Sequence, residues 1–379
     1  MLPILYPSTT STSGFFENNG LGFFNHCTKC NVTEETNGIY ELEMSILPSD
    51  RLAKTSVCGM FVKAKPNPFD PLQIFEIYSQ SASRDKIDIQ AQHIHYFLNK
   101  NVTTEPPAKF TGTPSEVWNA AQIYFALDNP FTFTSNITSS NTILPGNERN
   151  ISASEFLSGL DGSVLDVFGG EYYYDNFSVS LLQRRGTDTG IALRYGSNIS
   201  SKQQDSSNQT VYSHIMPYAL VKTKYLSTNA EGQMYVNLNN AIEMAYSSLT
   251  YKKALLYDFT DRMTDVTLNV ISPGQYENLS DVKTRLRQET MNYINKNRAA
   301  LTQISTNIQV DLTETLSGLQ DCKLCDTVLI DLDGNGTKSR AKIIKTVYDA
   351  LGERYTKIEL GQPKKTIADM ITVKNLGGA

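Results

Sequence analysis

The sequence has few charged residues, one tryptophan and no long apolar run. The low charge and the missing apolar run each exclude a class of protein. Charged residues make up 19% of the 379 positions against 40% hydrophobic ones, so the chain is not intrinsically disordered. No run of about 18 apolar residues occurs, which excludes a membrane-spanning helix. The net charge is −5, and no block of lysine and arginine stands out. This balance argues against a sequence-reading nucleic-acid binder, but not against a protein that nucleic acid merely passes.

Signals for export are missing as well. The segment from Met1 to Pro7 contains neither a basic stretch nor a continuous apolar one, so we expect no secretory signal. The five cysteines are an odd number, which favours reduced thiols in a protein made in a cytosol.

Strand signals dominate both ends of the chain. Asn37-Gly38 is a strong hairpin signal, because both turn positions need a positive φ, and it predicts strands at 30–36 and 39–47. Glu34 and Glu35 then fall on an exposed strand beside the turn. Further strands are expected at 73–79, 86–92, 171–174, 177–183, 191–195, 327–332, 340–347 and 355–360.

Helix signals occupy the middle of the chain. Capping-box patterns begin at Thr113 and Ser152, where the first side chain caps the backbone and a glutamate three residues later bonds back. The second pattern predicts one helix that continues to Phe168 and ends at two glycines.

A third helix is expected from Ser280 to about Asn297. Its basic residues form either a solvated face or a positive rim that faces a polyanion. The serine-rich segment 200–209 is predicted to be an exposed connection. Strands at both ends and mixed elements between them predict an α+β, mainly β chain of several domains.

Two CxxC pairs are the sharpest metal signal, formed by Cys27 with Cys30 and by Cys322 with Cys325. Two such pairs can complete a tetrahedral zinc site. They lie nearly 300 residues apart, however, and each runs into a predicted strand, where positions i and i+3 face opposite ways. We therefore favour small buried hydrophobes near strand starts over zinc or a disulfide, and expect no bound metal.

Two weaker metal patterns also have simpler explanations. His93 and His95 share one face of a predicted strand, but no third ligand lies nearby in sequence, so satisfied strand-end histidines are preferred. The segment 331–336 starts like a calcium-binding EF-hand loop. Its twelfth position is Lys342, where a glutamate is required, so a hairpin turn is preferred.

No catalytic pattern is legible. The sequence contains no nucleophile elbow, no HExxH helix, no P-loop and no GxGxxG. We therefore expect a protein that is not an enzyme and that carries no cofactor.

Several segments carry a resemblance to a known family. The most specific one is Gly169-Gly170-Glu171-Tyr172, Asp175-Asn176-Phe177, Leu181-Leu182-Gln183-Arg184-Arg185-Gly186 and Arg194-Tyr195-Gly196-Ser197-Asn198-Ile199. Segments 32–42, 73–78, 91–96 and 354–361 extend it over nearly the whole chain. Together they resemble the N-terminal module of phage minor structural proteins, the tail-associated lysin or prophage endopeptidase tail proteins of siphophages that infect Gram-positive bacteria.

The resemblance implies a baseplate hub fold of two β-barrel domains with α/β insertions. The segments then divide into a first barrel domain, an α/β domain, a discontinuous second barrel domain and a helical or α/β insertion. These are 1–104, 105–200, 201–272 with 320–379, and 273–319.

The family implies a function as well. The chain would be a structural virion protein at the tail tip that closes the tail tube as a homotrimer and opens for genomic DNA. Its partners would be the distal tail protein hexamer and the receptor-binding proteins of the baseplate. Longer relatives carry a C-terminal peptidoglycan hydrolase, so a cell-wall hydrolase is the alternative. A glycan-binding adhesin is a third possibility, against which the single tryptophan and the tail-family motifs count.

Overall fold

The computed structural model describes residues 1–8, 16–107, 109–145, 149–194, 199–207, 212–244, 252–302, 305–312, 321–331 and 339–361. The chain divides into two compact units. Unit 1 comprises 1–204 with 307–379, and unit 2 comprises Asp205–Thr306.

Strands outnumber helices among the described residues. The strands of the first half are β1 (Ile4–Tyr6), β2 (Gly22–Phe23), β3 (Cys27–Glu35), β4 (Tyr40–Ile46), β5 (Phe61–Ala64), β6 (Gln73–Ala82), β7 (Ile87–His93), β8 (Phe110–Gly112), β9 (Thr132–Ser135), β10 (Asn141–Ile143), β11 (Glu171–Asp175) and β12 (Ser178–Leu182). Those of the second half are β13 (Asp188–Arg194), β14 (Ile199–Ser207), β15 (His214–Tyr225), β16 (Glu231–Asn237), β17 (Ile242–Glu243), β18 (Ala254–Asp258), β19 (Thr267–Ser272), β20 (Gln275–Tyr276), β21 (Ser305–Leu312), β22 (Thr327–Asp331), β23 (Ser339–Asp349) and β24 (Arg354–Gly361). The helices are α1 (Pro114–Ala121), α2 (Ala153–Leu157), α3 (Val164–Phe168) and α4 (Leu279–Thr302).

A sheet of thirteen described strands forms the frame of unit 1. Its path runs β14-β21-β24-β23-β3-β4-β7-β6-β5-β1-β2, with β22 and β13 attached beside β23. The sheet joins the two ends of the chain, because β23 pairs antiparallel with β3 and brings Thr346 opposite Glu34. Smaller sheets, β8 with β10 and β11-β12-β9, carry the segment between them.

The local signals explain the first hairpin and two helix starts. Asn37 adopts φ 53°, as the predicted turn between β3 and β4 requires. Thr113 and Ser152 each cap a helix, and Glu116 and Glu155 complete both capping boxes. These predictions are confirmed because each depends on residues only a few positions apart.

The predicted single helix from Ser152 to Phe168 is wrong. The structure has two one-turn helices, α2 and α3, because Gly159 and Gly162 between them take φ 101° and 76°. A left-handed backbone interrupts the helical hydrogen bonds, and Ser163 then caps α3 anew.

The connection predicted at 200–209 is also wrong over residues 200–207. Residues 199–207 form β14, which pairs with β21 at one end of the large sheet. The turn at 333–336, and with it the calcium-like loop, lies outside the described residues.

Unit 2 is a sheet backed by one long helix. Six described strands form the sheet, with β15 at its centre between β16 and the parallel strands β18 and β19. Val282 and Leu286 of α4 are buried in the same core cluster as Ile215 of β15. The helix predicted from Ser280 to about Asn297 is therefore present, with slightly wider bounds.

The α+β, mainly β prediction is confirmed, since strands dominate both units. Two closed barrels are not confirmed: the large sheet is a curled half-barrel. The predicted boundaries of the four segments stay a prediction.

Candidate functional site

Several residues of the resembling segments meet at one place in unit 1. The β11–β12 hairpin lies in the middle of the chain, between the two segments whose strands form the large sheet. It packs against the strands of that sheet. We call this contact the junction and define it by Glu34, Asp70, Gln73, Tyr173, Asn176 and Arg185, together with the residues that bond to them. The junction decides how the middle segment is held within unit 1.

Two asparagine turns tie the two ends of β11 to the sheet. At one end, Asn37 accepts a hydrogen bond from the backbone N–H of Tyr172 (2.8 Å) and donates to the carbonyl of Gly170 (3.1 Å). At the other end, Asn176 accepts from the N–H of Ile74 (3.0 Å) and donates to the carbonyl of Leu72 (3.1 Å). Both asparagines have a positive φ, which this residue tolerates better than most.

A buried ion pair lies between these two ties. The guanidinium of Arg185 donates to Oε1 of Glu34 at 2.7 Å, and the two side chains are 11% and 6% exposed. Asp70 lies 3.9 Å from the same guanidinium and accepts a hydrogen bond from the hydroxyl of Tyr173 at 3.1 Å. Arg185 also stacks over the ring of Tyr173, 4.8 Å from its centroid. A cation held on three sides fixes the relative position of the elements that supply these groups.

Each member of this pair shifts the pKa of the other. Burial works to lower the pKa of Arg185, but the charge and hydrogen bond of Glu34 hold it above its ordinary value. Burial raises the pKa of Glu34, and Arg185 offsets part of that effect. The exposed position expected for Glu34 is therefore wrong, because its partner lies 151 residues away in sequence.

The residue after Arg185 lies in close contact with the backbone of another segment. Gly186 lies against the backbone of Cys325, where an added Cβ would overlap the carbonyl group. The next residue, Thr187, donates its N–H to the carboxylate of Asp326 at 2.7 Å. Glu171 accepts from the N–H of Arg185 and pairs with Lys342 of β23. The Arg-Gly sequence thus combines a buried charge with a position that has no room for a side chain.

A hydrogen-bond relay extends the junction to the histidines. The amide oxygen of Gln73 accepts from the N–H of Asn176 (2.7 Å) and from Nε2 of His93 (3.0 Å). His93 therefore accepts at Nδ1, where Nδ1 of His95 donates at 2.9 Å. Burial lowers the pKa of His93, and it lowers the pKa of His95 to about 3, so both imidazoles are neutral at pH 7. His95 lies in a 3-10 helix after β7 and not on the strand face that we expected.

The four CxxC cysteines lie in two different apolar clusters. Cys30 packs in the core of the large sheet with Cys27 at its margin, whereas Cys322 and Cys325 pack around Ile343. All five cysteines of the chain are free thiols. Burial raises the pKa of Cys322 to about 12, and the hydrogen bond that Cys30 donates to Cys27, together with burial, raises the pKa of Cys30 well above its ordinary value. The two CxxC pairs therefore pack in separate apolar clusters and do not converge on one site.

Within the described ranges, no three His, Cys, Asp or Glu side chains are grouped so that they could hold a metal ion. None of the described helices is both long and apolar enough to cross a membrane. A half-open cavity of about 330 Å³ lies on the large sheet, lined among others by Glu41, Glu43, Tyr78, Lys345 and Lys357. The junction uses an ion pair and hydrogen bonds to hold two parts of unit 1 in one orientation.

Comparison with known proteins agrees with this architecture. No protein-family model and no curated protein matches the chain. Among solved structures, prophage tail protein gp18 from Listeria monocytogenes EGD-e superposes over 100% of both chains, with a TM-score of 0.57 at 16% identity. The 43 kDa tail protein of prophage MuSo2 from Shewanella oneidensis covers 96% of this chain and 99% of its own, with a TM-score of 0.57 at 12% identity.

A tail protein from Neisseria meningitidis MC58 gives a TM-score of 0.52 at 10% identity, covering 97% of this chain and 99% of its own. The chain therefore has the fold of prophage tail proteins over nearly its full length. The predicted resemblance to a phage tail family is confirmed.

Proposed function

We propose that this chain is a structural protein of a phage tail, and more specifically a baseplate hub at the tail tip. Three copies close the tail tube and open for genomic DNA during infection. The observation that carries the proposal is the fold shared with prophage tail proteins over 96–100% of the chain.

The character of the junction supports a mechanical role. Its charged groups are buried and satisfied by one another, which suits a part that transmits load better than one that binds substrate. We propose that the hub is not catalytic. Its partners would be the hexameric distal tail protein above it and the receptor-binding proteins around it, in the virion.

The mechanism would be a rearrangement of subunit packing. Because the junction holds unit 1 together, this unit would move as a rigid body. The tube would then open between copies, and the large sheet of each copy would stay intact. The net charge of −5 suits a passage for DNA, because an attractive wall would retain the polyanion.

Single-particle imaging of the purified chain tests this proposal. We expect a three-fold ring whose axial opening is narrower than duplex DNA. A particle without three-fold symmetry contradicts the hub, and a ring with a permanent hole wider than a duplex contradicts the closing role. Zymography on the cell walls of a susceptible host should show no clearing.

A further inference from the structure

The turn between β3 and β4 contains a chemically labile pair of residues. In an asparagine–glycine sequence the backbone nitrogen of the glycine gives up its proton to a base in solution and attacks Cγ of the asparagine, since glycine has no Cβ to block the approach. The new N–Cγ bond closes a five-membered succinimide, and the Cγ–Nδ2 bond breaks with loss of ammonia. Water then opens the ring at either carbonyl and leaves an aspartate or an isoaspartate.

The chain has three asparagine–glycine sequences, at 19–20, 37–38 and 335–336. The last of them lies outside the described residues. The first two differ in how the structure holds the groups that react.

The amide of Asn37 is held at both of its polar atoms. Its Oδ1 accepts from the N–H of Tyr172 at 2.8 Å, and its Nδ2 donates to the carbonyl of Gly170 at 3.1 Å. The N–H of Gly38, whose proton must leave, donates to the carbonyl of Glu35 at 3.0 Å. A side chain bonded to β11 at both atoms is not free to turn its Cγ toward the next backbone nitrogen. The tie to β11 must therefore open before the succinimide forms.

Asn19 provides a comparison within the same chain. Its side chain is exposed. The N–H of Gly20 donates to Oδ1 of Asn18 at 2.7 Å, and this bond is exposed and joins residues two positions apart. A local bond of this kind opens without moving another segment of the fold.

We propose that Asn37 is a shielded deamidation site, which reacts when the junction lets β11 move away from the β3–β4 turn. The two side-chain bonds slow the reaction about thirty-fold, because both must open first. The same dipeptide at 19–20 lacks this link to the junction and reacts without it.

The product of the reaction does not restore the tie. A carboxylate at position 37 has no N–H to donate to the carbonyl of Gly170 and places a negative oxygen against it. An isoaspartate also lengthens the backbone of a turn whose φ is 53° at this residue. Deamidation would thus make an opening of the junction permanent. In a virion, where no new chain replaces an old one, the shield would set how long the tie lasts; this consequence rests on the proposed function, whereas the reaction itself does not.

Peptide mapping of the aged, purified chain by mass spectrometry measures the reaction at each asparagine, because a carboxyl group and an amide differ in mass. Relative to the chain in denaturant, we expect Asn37 of the folded chain to react about thirty-fold more slowly and Asn19 to keep a similar rate. A folded chain in which Asn37 reacts as fast as in denaturant overturns the proposal, whatever the role of the protein in a tail.

Two variants test the link to the junction. Arg185→Ala removes the ion pair and should speed the reaction at Asn37 at least several-fold, while Arg184→Ala, in its exposed ion pair with Asp188, should not change it. Asn176→Gly releases the other end of β11 and should act in the same direction if Arg185→Ala does not fold. An unchanged rate at Asn37 in the folded variants overturns the link.

The aspartate product can be made directly by substitution. Asn37→Asp should unfold at a lower urea concentration than the wild type, and Asn19→Asp, at an exposed position, should unfold at the same one. Equal midpoints for Asn37→Asp and the wild type would overturn the permanent loss of the tie.

Discussion

The junction of unit 1 buries charged side chains, whereas the sheet of unit 2 leaves apolar side chains in solvent. Arg185 and Glu34 are 11% and 6% exposed, and Tyr235 is 67% exposed. Buried ion pairs add little net stability but tolerate only one arrangement of their partners. Apolar area gives binding energy without directional demands. The comparison indicates that buried charge holds the parts of unit 1 together, while the sheet of unit 2 leaves apolar side chains exposed.

Arg185→Ala should produce the largest effect. It leaves Glu34 buried without its counter-charge, which costs about 3–5 kcal/mol of unfolding free energy. Arg184→Ala is the matched control, because the neighbouring arginine pairs with Asp188 where both side chains are about half exposed. Urea unfolding followed by circular dichroism measures both. If the two variants lose equal stability, the junction is not the special feature we describe.

Gly186→Ala tests the close passage beside the ion pair. The new Cβ would overlap the backbone of Cys325, which cannot rotate away as a side chain can, so we expect a loss of about 3 kcal/mol. Gly232→Ala, in an exposed strand of unit 2, meets a single hydroxyl at 3.0 Å and should change little. The melting temperatures of the two variants decide the question. A Gly186→Ala melting temperature equal to that of the wild type would show that the backbone of Cys325 leaves room for a Cβ.

Asn176→Gly separates turn geometry from hydrogen bonding. Glycine keeps the positive φ but loses the bonds to Leu72 and Ile74, which together contribute about 2 kcal/mol. Asn229→Gly is the control, since Asn229 has φ 55° in an exposed turn of unit 2 and should be nearly neutral. Equal midpoints in a urea titration would mean that only the turn geometry matters at Asn176.

The histidine relay predicts acid sensitivity. The folded pKa values of His93 and His95 lie below the unfolded value of about 6.5, so the unfolded chain binds more protons below that pH. Their contribution to stability is complete above pH 6.5 and declines toward pH 3 by up to about 1.4 kcal/mol per pH unit for each histidine. His93→Gln should flatten the profile of stability against pH between pH 6 and 4, as measured by urea unfolding at each pH, and an unchanged profile would contradict the relay.

The junction also shows what sequence reasoning can reach. Asn37-Gly38 and the two capping boxes depend on neighbours in the chain, so the β3–β4 hairpin and two helix starts were predictable. The partner of Arg185 depends on the strand pairing of the whole sheet, which no spacing reveals. The same holds for β14, since a serine-rich segment becomes a strand when a neighbouring strand supplies its hydrogen bonds.

The family motif predicted which residues matter but not their role. Glu171, Asn176, Arg185 and Gly186 stand in the resembling segments, and the structure shows that they hold the middle segment to the sheet. Glu34 also lies in a resembling segment, 32–42, but its burial was not predicted, because a glutamate beside a hairpin turn is usually solvated. The exposed apolar residues on the sheet of unit 2 are visible in the sequence only as an alternating strand, and which face of that strand stays open depends on where α4 packs.

The mass of the purified chain in solution tests the central claim most directly. Light scattering coupled to gel filtration at micromolar concentration should give about 126 kDa, three times the 42.2 kDa of one chain. Arg184→Ala should leave this mass unchanged, because its ion pair with Asp188 is about half exposed. A wild-type mass of 42.2 kDa at every concentration tested would contradict the account.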